Sequence, residues 1–155
     1  MFKSLNKKLK QYLNEEAAMY KSNQPTLEDF YNYVIKNPKA KESYFIPTGL
    51  NIRIPSNTIL HDFKKHNMGV NDWNYCIKNI RNIKTIGISR KTQSGNNMFL
   101  ININNLYGVS LMDCPQFFYI TTIFREHPNS INSWIDTHSK EINFDKFTKY
   151  IIQRL

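Results

Sequence analysis

Two histidines and one acid stand close together in the segment HDFKKH, residues 61–66. Histidine is the side chain whose ordinary pKa lies nearest neutrality, which makes it a common proton donor and acceptor in catalysis. If the segment is helical, Asp62 lies one turn before His66 on the same surface and can orient that imidazole. Lys64 and Lys65 add positive charge beside it. The segment therefore predicts proton transfer on an anionic substrate.

The two histidines differ in their expected surroundings. Helical spacing over residues 56–67 predicts an apolar face that packs on a sheet, made of Ile59, Leu60 and Phe63. His66 lies at the margin of this face, and His61 lies on the more exposed side. Each also has a simpler interpretation, as a half-buried side chain at the core edge or one in solvent. The spacing leaves both interpretations open.

A second group of polar side chains lies on the apolar strand YITTIFRE, residues 119–126. Strict alternation places Thr122 on the face of Ile120 and Phe124, and Arg125 on the other face. A Thr122 hydroxyl in a basic cleft can hydrogen-bond a scissile phosphate, and Arg125 can grip a phosphate bidentately. The alternative is that the threonines reflect only β-propensity.

Three further residues are candidates for substrate binding. Arg90 and Lys91 follow a predicted strand, where they would either contact a polyanion or lie on a solvated hairpin. Trp134 lies on a helix that opens at Pro128, and its ring would either stack on a base or pack in the core.

Several kinds of chemistry have no counterpart in the sequence. The chain has no P-loop and no GxGxxG motif, and its five glycines argue against a phosphate-cradling loop. The sequence also lacks an HExxH motif, a Cys/His cluster and a set of converging acids. Cys76 and Cys114 are not spaced like the ligands of a metal site. We therefore expect no metal and no cofactor, and two isolated thiols favour a reducing compartment.

The net charge of +9 and the pI near 9.5 favour nucleic acid or another anionic partner. The alternative is that coding bias inflates lysine without any function. Neither a secretory leader nor an apolar run of membrane-spanning length occurs, so we expect a soluble, cytoplasmic protein without a membrane partner.

Hydrophobic residues make up 41% of the chain, enough for one packed domain. Residues 1–41 read as a helical N-terminal extension, with helices over 2–21 and from Thr26 to about Asn37. Residues 42–155 form the body, which starts with a short strand near 50–54. Four further strands are predicted as an antiparallel meander, at 83–90, 98–104, 107–112 and 116–125. The predicted fold is α+β, a four-stranded antiparallel sheet with helices packed on one face.

The order of these features resembles the BECR group of ribonucleases, which includes barnase-like, EndoU-like, colicin-type and RelE-type nucleases. The resemblance covers about residues 50–140 and rests on a helix written H-x-x-x-K-H, a short helix with Trp, and an apolar-Thr-x-Phe strand. His61 and His66 match the helix motif and Thr122 matches the strand motif, whereas Arg125 and Arg90 are added from the sequence alone.

The resemblance implies cleavage of RNA, such as tRNA, without metal. The 2′-hydroxyl attacks the adjacent phosphate and leaves a cyclic phosphate. Members of the group occur in phages and polymorphic toxin systems, which makes an immunity or antitoxin protein a candidate partner. Two other functions fit the sequence: a basic phage-type protein that binds nucleic acid or inhibits a nucleoprotein effector without catalysis, and a structural or packaging domain.

Overall fold

The computed structural model describes residues 26–39, 43–92 and 95–155. These residues contain five helices, α1 (Leu27–Lys36), α2 (Ser56–His66), α3 (Val70–Lys78), α4 (Pro128–His138) and α5 (Phe144–Arg154). They also contain seven strands, β1 (Tyr44–Phe45), β2 (Ile52–Pro55), β3 (Ile83–Ser89), β4 (Met98–Ile103), β5 (Tyr107–Asp113), β6 (Phe118–Arg125) and β7 (Ser139–Lys140). None of the helices in these ranges is long and apolar enough to cross a membrane. The helix predicted over 2–21 lies outside the described residues.

The strands form one mixed sheet of seven strands in the order β1-β2-β6-β5-β4-β3-β7. Neighbours are antiparallel except β2 and β6, which pair in parallel at Ile52 and Phe118. The predicted four-stranded antiparallel sheet is therefore wrong, although the architecture is still α+β. The four expected strands form β3 to β6, but β2 extends them with a parallel pair and the short β1 and β7 close the edges. A strand of two residues is too short to show an alternating apolar pattern, so the sequence could not predict β1 and β7.

Helices cover both faces of the sheet, so the prediction that they pack on one face is also wrong. Every residue of β4 is buried. Phe99, Ile101 and Ile103 join the main core with side chains of α1, α2, α3 and α5. Met98 and Leu100 point the other way and pack with Ile131 and Ile135 of α4. A strand that is apolar at every position is typical of a sheet covered on both sides.

The helix predicted from Thr26 is confirmed as α1. Thr26 and Asp29 form a reciprocal capping box at its N-terminus. Its buried side chains, including Phe30 and Val34, belong to the same core as the sheet. The Tyr31 hydroxyl donates to the Met68 carbonyl at 3.1 Å, which ties α1 to the loop between α2 and α3.

A bulge in β6 breaks the predicted alternation of that strand. Leu111 of β5 pairs with Ile120, but Ser110 pairs with Thr122, so Thr121 is an extra residue. Ile120 and Ile123 both enter the main core as a result. Beyond the bulge, Phe124 packs on the α4 face, where its ring covers Gly108 so closely that a Cβ there would collide with it.

Candidate functional site

Helix α2 runs along the part of the β6 edge that β2 leaves uncovered, because β2 pairs with only two residues of β6. The Thr58 hydroxyl donates to the Ile120 carbonyl at 3.0 Å. One turn later, Asp62 Oδ2 accepts the Ile123 N–H at 2.8 Å. These two side chains replace a strand neighbour, since buried backbone groups without partners are costly.

The Asp62 carboxylate is fully buried and takes part in three hydrogen bonds. Besides the Ile123 N–H, its Oδ1 accepts the Thr122 hydroxyl at 2.7 Å and lies 3.0 Å from His61 Nδ1. Burial raises the pKa of the Asp62 carboxyl above its ordinary value, while these hydrogen bonds and the nearby His66 act against that rise. The result is an acceptor that its partners hold in one place.

The two imidazoles flank this carboxylate. His61 is hydrogen-bonded to Asp62 with its side chain 54% exposed, whereas His66 Nε2 stands 4.0 Å from Asp62 Oδ1. The sequence suggested that Asp62 orients His66, but the hydrogen bond goes to His61. The two rings are 5.7 Å apart between centroids. One ligand atom from each of the three residues lies within 4.8 Å of the others, so together they can also hold a metal ion.

A row of rings leads away from the histidines. The His66 ring is 5.9 Å from that of Phe124, which meets Trp134 edge-to-face at 4.7 Å. We call His61, His66, Phe124 and Trp134 the aromatic row. It crosses from α2 over β6 to α4 and brings the predicted Trp134 into line with the predicted histidines. Sequence reasoning missed Phe124, because strict alternation assigned it to the face of Ile120.

Lys64 and Lys65 are exposed in the last turn of α2, the turn that also carries His66. Phe63, expected on the packed face of this helix, is 41% exposed. Asp62 occupies the buried position instead, because the β6 edge requires an acceptor there and an aromatic ring cannot supply one.

The structure places the remaining candidates elsewhere. The Arg125 guanidinium lies 6.0 Å from the centroid of the Tyr107 ring. Arg90 donates to the Thr137 carbonyl at the end of α4, and Lys91 is exposed beside it. Both follow β3, which β4 and β5 separate from β6. Within the described residues, no hydrogen bond or ion pair links Arg125, Arg90 or Lys91 to the histidines.

Comparisons with protein-family models, curated proteins and solved structures found no match to this chain. The resemblance to the BECR group stays a prediction, and the four-stranded sheet that it implied is not the sheet observed. The functional argument therefore depends on the chemistry of the side chains around Asp62.

Proposed function

We propose that this chain is a cytoplasmic endoribonuclease that cleaves RNA without metal, with His61 and His66 as its proton-transfer residues. The observation that carries the proposal is a buried carboxylate hydrogen-bonded to an exposed imidazole, with a second imidazole 5.7 Å away. When His61 Nδ1 donates to Asp62, its Nε2 keeps a lone pair for accepting a proton. Asp62 thus sets the orientation of His61.

In this mechanism His61 removes the proton from the 2′-hydroxyl as that oxygen attacks the adjacent phosphorus. His66 donates a proton to the departing 5′-oxygen. The products are a 2′,3′-cyclic phosphate and a 5′-hydroxyl. The exposed Lys64 and Lys65 stabilise negative charge on the phosphorane.

Thr122 has a less direct role in this proposal. Its hydroxyl donates to Asp62 and so helps to position the carboxylate. We therefore assign Thr122 as a positioning residue that acts through Asp62 and His61. Arg125, Arg90 and Lys91 stay predicted contacts to more distant phosphates, since RNA extends well beyond the bond that is cleaved.

The aromatic row supplies a surface for the bases. Phe124 and Trp134 are half-buried, and their rings continue from His66. A base next to the scissile phosphate would stack on this surface, which accepts any base because each has a π-face.

An immunity or antitoxin protein belongs to the same proposal, as an acidic partner that covers the histidines.

The test is incubation of the full chain with total RNA in EDTA, beside His61→Ala and His66→Ala. We expect the wild type to cleave and each variant to lose about a hundredfold or more in rate. Their melting temperatures should change little, because both side chains are partly exposed and neither belongs to the hydrophobic core. His138→Ala, which removes an exposed histidine on α4, is the matched control. Full activity in both variants, or no cleavage in EDTA, would contradict the proposal.

A second candidate function is RNA binding without catalysis. Within residues 26–39, 43–92 and 95–155, Arg154 is the one lysine or arginine ion-paired with an acid of the same set. Most of the other basic side chains there are exposed and available to phosphates. Salt-dependent RNA binding with no cleavage in the same experiment would favour this function.

A further inference from the structure

The cluster of His61, Asp62 and His66 offers two imidazole nitrogens and one carboxylate oxygen on the same side of α2. Two histidines and one carboxylate are the protein ligands of many catalytic zinc sites, which keep a further position open. The sequence hides this set, because ligands at consecutive positions followed by a third four residues later match no common zinc motif.

The distances suit a small ion. Asp62 Oδ1 lies 3.0 Å from His61 Nδ1 and 4.0 Å from His66 Nε2. A tetrahedral ion with bonds of about 2.1 Å keeps its ligands roughly 3.4 Å apart, a value between these two. Both imidazoles are partly exposed, so small ring rotations can equalise the distances, whereas buried Asp62 provides the fixed point.

The surroundings of Asp62 match those of a metal-bound carboxylate. Its Oδ2 accepts the Ile123 N–H, and its Oδ1 accepts the Thr122 hydroxyl. Hydrogen bonds of this kind orient ligands around metals and strengthen binding. Both bonds can persist when an ion replaces the contact between His61 and Asp62.

We propose that His61, Asp62 and His66 bind one divalent transition-metal ion, with Zn²⁺ the ion best suited to the donor set. Zn²⁺ favours imidazole with carboxylate and accepts three protein ligands plus water. The exposed sides of the two rings leave room for that water or for a phosphate oxygen. A bound ion would replace the contact between His61 and Asp62 and would occupy both imidazoles, so the metal-bound form competes with the metal-free arrangement of the ribonuclease proposal. Metal binding is measured without RNA, so each proposal can fail without the other.

The experiment is calorimetric titration of Zn²⁺ into full-length protein that has been stripped of metal with a chelator and then freed of the chelator. We expect the wild type to bind one ion per chain. His61→Ala and His66→Ala should each weaken binding by at least about tenfold. His138→Ala removes one exposed histidine outside the cluster and should bind like the wild type.

No Zn²⁺ binding by the wild type, or binding that either His61→Ala or His66→Ala leaves unchanged, overturns the metal site. Melting curves of the metal-free variants test whether a loss of Zn²⁺ binding comes from unfolding. RNA cleavage in EDTA together with failed Zn²⁺ binding would remove the metal site and leave the ribonuclease proposal standing. Zn²⁺ binding that depends on both histidines, without RNA cleavage, would do the reverse.

Discussion

Asp62 Oδ2 accepts the backbone N–H of Ile123 at 2.8 Å, so a helix side chain completes the hydrogen bonding of a sheet edge. The other oxygen of the same carboxylate holds His61. One residue thus joins the packing of α2 on β6 to the geometry of the candidate site. A substitution of Asp62 would therefore change both the stability of the fold and the geometry of the site. Substitutions of the more exposed His61 and His66 test catalysis with less effect on stability.

Asp62→Ala should lower the free energy of unfolding by about 2–4 kcal/mol. It leaves the Ile123 N–H buried without an acceptor and removes the partner of Thr122. Asp62→Asn should cost about half as much, because an amide oxygen can still accept the N–H. Urea unfolding measures both. Asp136→Ala, at an exposed acid of α4, should change stability by less than about 0.5 kcal/mol. Equal values for Asp62→Ala and this control would contradict the edge-capping role.

Much of the local structure could be predicted from the sequence. The capping box of Thr26 and Asp29 is a short-range signal, and it marks the start of α1. The four long strands also lie where apolar patterns place them. The parallel pairing of β2 with β6 could not be predicted, because it joins Ile52 to Phe118, 66 positions apart in the sequence, and depends on tertiary packing.

The candidate site was predictable only in part, and the bulge in β6 is the reason. Strict alternation assumes that each residue of β6 pairs with one residue of β5. The extra Thr121 therefore reverses the sheet face expected for the residues that follow it. Thr122 consequently faces Asp62, and Phe124 faces Trp134. The pair His61 and His66 was found because both lie on one regular helix, whereas the hydrogen bond from His61 required the actual side-chain conformation.

The stability contributed by Cys114 should decline at alkaline pH. Burial, and then the charge of Asp113, raise the pKa of the Cys114 thiol to about 11, while Arg154 acts against the rise. The unfolded thiol titrates at about 8.5. The unfolded state therefore loses its proton first, so stability is complete below this value and is lost as pH rises toward 11.

Urea unfolding of the wild type and Cys114→Ala at pH 7 and pH 10 tests this. The stability advantage of the wild type should shrink by about 1–2 kcal/mol between the two values. Burial also raises the pKa of Cys76, but that thiol is present in both proteins and its contribution cancels. An advantage that stays constant with pH would contradict the burial of the Cys114 thiol.

Trp134→Leu should weaken RNA binding roughly fivefold to hundredfold, the loss of one base-stacking contact. Trp134 ends the aromatic row, and the centroid of its ring lies 4.7 Å from that of Phe124. Fluorescence anisotropy with a short single-stranded RNA gives the affinity. Every protein compared also carries His61→Ala, which prevents cleavage during the measurement. Phe144→Leu is the control, because Phe144 is an exposed ring on α5, outside the row. Equal affinities in the two variants would remove the aromatic row as a base-binding surface.

The salt dependence of RNA binding should identify the lysines that contact phosphate. Each phosphate contact that is lost lowers the slope of log affinity against log salt by about 0.7 for a single strand. Lys64→Gln with Lys65→Gln should reduce the slope by about 1.4, since both lie in the helical turn of His66. Arg90→Gln with Lys91→Gln should reduce it less, because β4 and β5 separate them from β6. The two double variants remove equal charge, so the comparison isolates position, and equal slopes would show that RNA binding is not centred on the histidines.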